Sequence, residues 1–144
     1  MIKINIYTIL KPSKDEFDSI IKEFIKMSSK YAKVEFHYVF NKTISKAQTI
    51  GEKESQASYS EAYEPLLKGY NIALDVLGKR VDTFAFSKQI EGKNEINYFI
   101  GGAFGFEREF LKKCDSIISL SANVKNEHQR FRVICIQNNH PYHK

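Results

Sequence analysis

Isoleucines at positions 2, 4 and 6 alternate with Lys3 and Asn5, which sets three branched side chains on one face of a strand running apolar to Leu10. Pro12-Ser13 interrupts it. Ser13 and Glu16 stand at capping-box spacing, and Phe17, Ile20, Ile21, Phe24 and Ile25 then share one helical stripe, so a helix is expected over about 13–31. Val34, Phe36, Tyr38 and Phe40 alternate as a second strand. Residues 41–68 are polar, rich in helix formers and weak in apolar stripe (Ala47, Ile50, Ala57, Ala62, Leu66). They read as a long exposed helix broken near Gly51, with a disordered excursion as the alternative. A third strand follows over 70–76, closed by Gly78. Asp82 can cap a short helix to Ile90, and Gly92 can end it. The run Ile96 to Ile100 is nearly all apolar and reads as a central strand. Gly101-Gly102-Ala103-Phe104-Gly105, a helix over 106–114, a short strand over 116–120 and a helix over 127–137 complete the pattern. Strands alternating with helices imply an α/β fold, a parallel sheet in one layered domain spanning 1–144.

Composition narrows the class. The 144 residues suit one domain, and 42% hydrophobic with 13% aromatic content suffices for a core. No apolar run approaches the ~20 residues of a membrane helix, and the amino-terminal alternation is unlike a signal-peptide core. Cys114 and Cys135 are too few for a disulfide framework or a zinc site. A soluble, reduced, cytoplasmic protein is the expectation. The net charge of +5 mildly favours polyanionic partners.

The glycine loop is the first candidate for chemistry. It stands directly after a buried-type strand and before a helix, where open α/β sheets bind ligands. Its G-G-x-x-G spacing is neither the dinucleotide fingerprint nor a P-loop. Taken alone, such a loop serves as a ligand site or as a tight turn. The tail is the second candidate. His128, His140 and His143 lie near the end, but Pro141 argues against one helix presenting the last two to a metal, and no third ligand is evident, so no metal is expected. Arg130, Arg132, Tyr142, His143 and Lys144 could bind phosphate and stack on a base, or form an ordinary solvated end. Cys114 has no histidine neighbour in sequence to activate it, and Cys135 among Val133, Ile134 and Ile136 reads as a buried apolar residue.

The combination is more specific than its parts. The runs Phe99-Ile100-Gly101-Gly102-Ala103-Phe104-Gly105-Phe106, Ile118-Ser119-Leu120-Ser121 and the terminal Asn139-His140-Pro141-Tyr142-His143-Lys144, with Ile72-Ala73-Leu74-Asp75 and Gly78-Lys79, resemble the ribosomal large-subunit methyltransferase H family of SPOUT methyltransferases. The resemblance spans the chain. It implies a trefoil knot in the carboxyl half, a homodimer, S-adenosylmethionine as methyl donor, and methylation at N3 of a pseudouridine in large-subunit ribosomal RNA within the assembled ribosome. It also implies that Leu74 lies against the adenosine and that Gly101 leaves room for the cofactor. Leu120, Ser121, Ala122, Asn123, Val124 and Lys125 would supply backbone hydrogen bonds to the adenine. The catalytic and RNA-contacting positions would be Arg132, Tyr142, His143 and Lys144, with His143 the best proton acceptor. The chain departs from the family pattern where 122–129 is polar and shorter than the usual apolar helix. A non-catalytic RNA-binding α/β module is the rival reading, separable by cofactor binding. A nucleotide-dependent enzyme of doubly wound topology is disfavoured by the glycine spacing.

Overall fold

The structure is a computed structural model that describes residues 2–11, 32–80, 88–89 and 91–119. Its elements in chain order are strand β1 (Ile2–Thr8), strand β2 (Ala32–Tyr38), helix α1 (Lys42–Ile50), helix α2 (Glu52–Tyr63), a 3-10 turn (Glu64–Leu66), strand β3 (Tyr70–Arg80), strand β4 (Glu95–Ile100), helix α3 (Arg108–Lys113) and strand β5 (Ser116–Ser119). The five strands form one sheet in the order β2-β1-β4-β3-β5, every pair parallel. No helix among the described residues is long and apolar enough to cross a membrane. The expected helices over 13–31 and 127–137, and the knot, lie outside the described residues.

The near-continuous apolar strand is indeed central: β4 pairs β1 on one side and β3 on the other, and Ile96 to Ile100 are all buried. A parallel strand needs cover on both faces, which is why it does not alternate in polarity. One face gathers Ile6, Ile72, Leu74, Ile96, Tyr98, Ile100 and Ile118, with Ile2, Ile4, Val34 and Phe36 at its margin. This is the face marked by the isoleucine alternation of β1. The opposite face carries Tyr7, Ala73 and Phe99, against which Ile44, Tyr59, Tyr63, Phe106, Phe110 and Leu111 pack. Its rings interlock: Tyr7 stacks on Phe99 at 5.2 Å, and Tyr63 and Phe110 meet Phe99 edge-on at 5.0 and 5.6 Å.

Residues 41–68 are ordered, and the break comes where glycine stands. Asn41 caps α1 by accepting from the Ile44 amide at 2.8 Å, and Gly51 is both the last cap of α1 and the first of α2. The buried face differs from the expected alanine stripe. Ile44 and Ala47 are buried on α1, but α2 turns Ser55, Ser58, Tyr59, Ser60 and Tyr63 inward, while Ile50 is 60% exposed. Gly78 also plays another part than the expected strand end. β3 continues to Arg80, with a register irregularity between Leu74 and Lys79, and both of these residues pair with Ile118 of β5. A Cβ at position 78 would stand 2.8 Å from the backbone of Ile117 and Ile118, so only glycine lets the two strands approach there.

A row of asparagines crosses the sheet on the helix-covered face. Asn5, Asn97 and Asn71 are register partners on β1, β4 and β3. The Asn5 amide donates to Asn97 Oδ1 at 3.0 Å, and the Asn97 amide donates to Asn71 Oδ1 at 3.2 Å and to the Lys68 carbonyl. At one end His37, stacked on Tyr7, brings Nε2 to 3.4 Å from Asn5 Oδ1. At the other, Asp115 accepts from the Asn71 amide N–H at 2.7 Å and returns a bond to its carbonyl, fastening the start of β5. Asn97 is fully buried, so its removal strands several polar atoms at once. Asn97→Ala should lower stability by about 3 kcal/mol, the scale of leaving buried partners unpaired. Urea unfolding should show this as a reduced midpoint at unchanged slope.

Candidate functional site

Because every strand points the same way, the carboxyl ends of all five lie at one end of the sheet. The connection from β1 leads outward to β2, while that from β4 passes the other way, beyond β3, to β5. Their carboxyl ends, marked by the pair Thr8 and Ile100, therefore flank a topological switch point. Thr8 Oγ1 is buried there without a hydrogen-bond partner among the described residues.

Leu74 and Gly101, two of the expected site residues, meet at this end. Leu74 is the register partner of Ile100, which Gly101 follows directly, and on its other side Leu74 pairs with Ile118. Leu74, Ile100 and Ile118 are buried in the core of one face at this end, and Asp75 presents its carboxylate toward Gly105. Among the described residues no cluster of His, Cys, Asp and Glu side chains could hold a metal ion. The expected positions Leu120, Ser121, Ala122, Asn123, Val124, Lys125, Arg132, Tyr142, His143 and Lys144 lie outside the described residues, as do His128, His140 and Cys135.

The glycine loop is shaped by the protein's own rings. A Cβ on Gly102 would come within 2.5 Å of the Tyr59 phenol, and one on Gly101 within 3.2 Å of the Phe106 ring. Gly105 has φ +76°, a left-handed conformation, and its amide closes a turn onto the Gly102 carbonyl at 3.2 Å. Beside Gly105 a side chain would find open space except for Asp75 Oδ2 at 3.9 Å. The G-G-x-x-G spacing thus meets two internal packing demands and one turn.

Helix α2 fastens this loop along its length. Tyr63 donates to the carbonyl of Ile100 at 2.7 Å, Gln56 to the carbonyl of Phe104 at 2.8 Å, and Ser60 to the Glu107 carboxylate at 2.5 Å. Burial, and then the neighbouring Tyr59, push the Tyr63 phenol well above its ordinary range, so it stays a neutral donor. The sign follows: a raised phenol stabilises the fold fully below its unfolded value near 10.0, and that contribution is lost only as pH rises through the higher folded value. This helix face carries serine and tyrosine in place of an apolar stripe, so hydrophobic periodicity does not mark it. The signal was present in the spacing of Gln56, Tyr59, Ser60 and Tyr63, which is three, four and seven residues.

Cys114 is half-buried, and burial followed by the Asp115 charge pushes its thiol up to about 12. It is a thiol rather than a thiolate at neutral pH, which agrees with its exclusion as a nucleophile.

The dependence of Gly102 on Tyr59 is testable as a cycle. Gly102→Ala should cost about 1–3 kcal/mol by overpacking against the phenol. In the double variant with Tyr59→Leu that clash is gone, so the combined loss in urea unfolding should fall short of the sum by about 1 kcal/mol or more.

Comparison with known proteins adds a second line. Residues 2–143 match the family model described as "Predicted SPOUT methyltransferase". The chain is 74% identical to the ribosomal RNA large subunit methyltransferase H of Aliarcobacter butzleri, over 99% of each chain. It is 43% identical to the protein of that name from Sulfurovum sp. and 39% identical to that from Campylobacter concisus, again over 99% of each. The first alignment runs over 150 positions against 144 residues, so at least six positions have no counterpart here.

Proposed function

Since the chain belongs to the SPOUT methyltransferase family, we propose that it transfers a methyl group from S-adenosylmethionine to N3 of a pseudouridine in large-subunit ribosomal RNA. The observation that carries this reading is the 74% identity, over the whole chain, to a protein named as a large-subunit ribosomal RNA methyltransferase. The acceptor is RNA within the assembled ribosome, which sets the place of action in the cytoplasm. The working unit is a homodimer of single-domain protomers.

The residues at the carboxyl end of the sheet fit such a cofactor chemically. Leu74, Ile100 and Ile118 make this end of the strands apolar, which suits an adenosine, and the Asp75 carboxylate would complement a ligand that carries a sulfonium and an ammonium. Leu74 and Gly101 would line the cofactor, with backbone groups of Leu120, Ser121, Ala122, Asn123, Val124 and Lys125 meeting the adenine. When bound, S-adenosylmethionine supplies a methyl group already activated on sulfur. Little is left for the protein beyond alignment and removal of one proton. His143 would take the imide N3 proton as N3 gains the methyl carbon, whose bond to sulfur breaks with S-adenosylhomocysteine as the leaving group. Tyr142 stacks on or hydrogen-bonds the base, and Arg132 and Lys144 neutralise phosphates.

Mass spectrometry of ribosomal RNA from cells lacking the protein tests the substrate: one N3-methylpseudouridine should be lost from the large subunit and restored by the gene. A non-catalytic RNA-binding module would leave that RNA unchanged and show no calorimetric signal with S-adenosylhomocysteine. The division of labour inside the protein is tested by deleting residues 140–144. S-adenosylmethionine affinity should stay within a few-fold, while single-turnover methylation of ribosomes falls ~100-fold or more, the lower range for a positioned acid–base group. Equal loss in both assays would assign the tail to the cofactor pocket instead.

A further inference from the structure

We infer that Gln56 of α2 is a positioning residue for the cofactor loop, holding 101–107 in its ligand-ready shape through the Phe104 carbonyl without touching the ligand itself. The inference rests on the reading of this loop as part of an S-adenosylmethionine site. Three α2 side chains donate hydrogen bonds to the loop, and they differ in kind. Tyr63 is fully buried, and its bond to Ile100 secures the end of β4 as part of the core. Ser60 is also buried and holds Glu107, just before α3. Gln56 is only half-buried and reaches the middle of the loop, where Ala103 is exposed and Phe104 and Gly105 are half-buried; Tyr59 meets the same section, its phenol lying against Gly102 and the Phe104 backbone.

Tyr59 packs that middle section from its inner side, and Gln56 adds a directed bond to one of its carbonyls. Its internal bond is the turn from Gly105 to Gly102, and the glycines at 101, 102 and 105 leave its backbone shape to be set by such contacts. Gln56 Nε2 is itself oriented by Glu52 Oε1 at 3.3 Å, one turn earlier on the same helix. The chain Glu52–Gln56–Phe104 thus runs from a solvent-exposed helix start to the tip of the loop. Loss of the Gln56 donor should leave the core intact while releasing the tip. A loop that must be ordered on binding gives a weaker complex than one already ordered.

The test uses the full-length protein with S-adenosylhomocysteine as the probe. Gln56→Ala should lower affinity about 10-fold in calorimetry, with a urea midpoint close to that of the unaltered chain. Amide hydrogen exchange without ligand should speed up in the peptide covering 101–107 and not in β4 or α2. Gln56→Glu supplies a pH signature. Ionised, it cannot donate to the Phe104 carbonyl; protonated, it can. Glu52 on its own helix, Glu107 on the loop and Asp75 opposite Gly105 are all acids, so their charges favour the protonated form. Affinity of Gln56→Glu relative to the unaltered chain should therefore recover as pH is lowered, whereas that of Gln56→Ala should not. Unchanged loop exchange in Gln56→Ala would overturn the clamp. Faster exchange with unchanged affinity would overturn its role in positioning. If the unaltered chain binds no S-adenosylhomocysteine, the cofactor reading fails, and with it the positioning role, while the exchange result still decides the clamp.

Discussion

The hydrogen-bonded row Asn5–Asn97–Asn71 is the constraint on which the rest of the described structure depends. It joins the three middle strands at one level. A parallel sheet rich in isoleucine and phenylalanine has little in its apolar pairs to distinguish one register from another, because its hydrophobic faces repeat every two residues. Polar groups do distinguish. A slip of β4 would leave the Asn97 amide facing apolar side chains, at a cost of about 1–3 kcal/mol for each stranded group. With the row in place, Thr8, Ile100, Leu74 and Ile118 come level at the other end of the strands. The candidate site is therefore a consequence of a register set several residues away from it.

The second requirement is a shaped loop at that level. A strand can deliver a backbone to the right place but cannot determine how it turns afterwards. Here α2 performs that task with polar atoms on an otherwise packed face: Tyr59 sits against Gly102, Tyr63 reaches the last strand carbonyl, and Ser60 and Gln56 reach beyond it. This explains why the helix is weakly amphipathic. Its inward face meets backbone carbonyls and a carboxylate as well as rings, so serine, glutamine and tyrosine serve there better than leucine. Tyrosine does both jobs, covering apolar area with its ring and satisfying a carbonyl with its hydroxyl.

Period-two alternation and continuous apolar runs made the strands legible, because burial in a parallel sheet acts on every residue of a strand. Ile2, Ile4 and Ile6 share one face, and β4 lies at the centre for that reason. The break at Gly51 was legible too, since glycine both ends α1 and begins α2. The asparagine row leaves no mark in hydrophobic periodicity, although asparagine is depleted from strands and occurs once in each of Ile4-Asn5-Ile6, Tyr70-Asn71-Ile72 and Ile96-Asn97-Tyr98. Three exceptions at matching places in three strands are a pairing signal, but only once strand order is known. The inward face of α2 was hidden for a related reason. A search for apolar stripes cannot find a helix whose neighbours are backbone carbonyls. Of the candidate site, Leu74 and Gly101 stand at the same end of the sheet, and the remaining expected residues lie outside the described part.

The glycine loop shows how two readings of one motif can hold together. From sequence it could be a ligand site or a tight turn, and the structure gives each glycine an internal reason to exist: Phe106 beside Gly101, Tyr59 beside Gly102, and a left-handed turn at Gly105. Those reasons do not compete with ligand binding. A loop packed on its inner side has lost part of its conformational freedom before any ligand arrives, so binding supplies less of the ordering cost. The same glycines that let the loop lie close against two aromatic rings also bring its backbone down to the level of the strand ends. There Leu74, Ile100 and Ile118 are apolar and buried, and Asp75 places a carboxylate near Gly105. Methyl transfer from an activated donor asks chiefly for alignment, and a loop clamped from behind by a helix is a physical means of providing it.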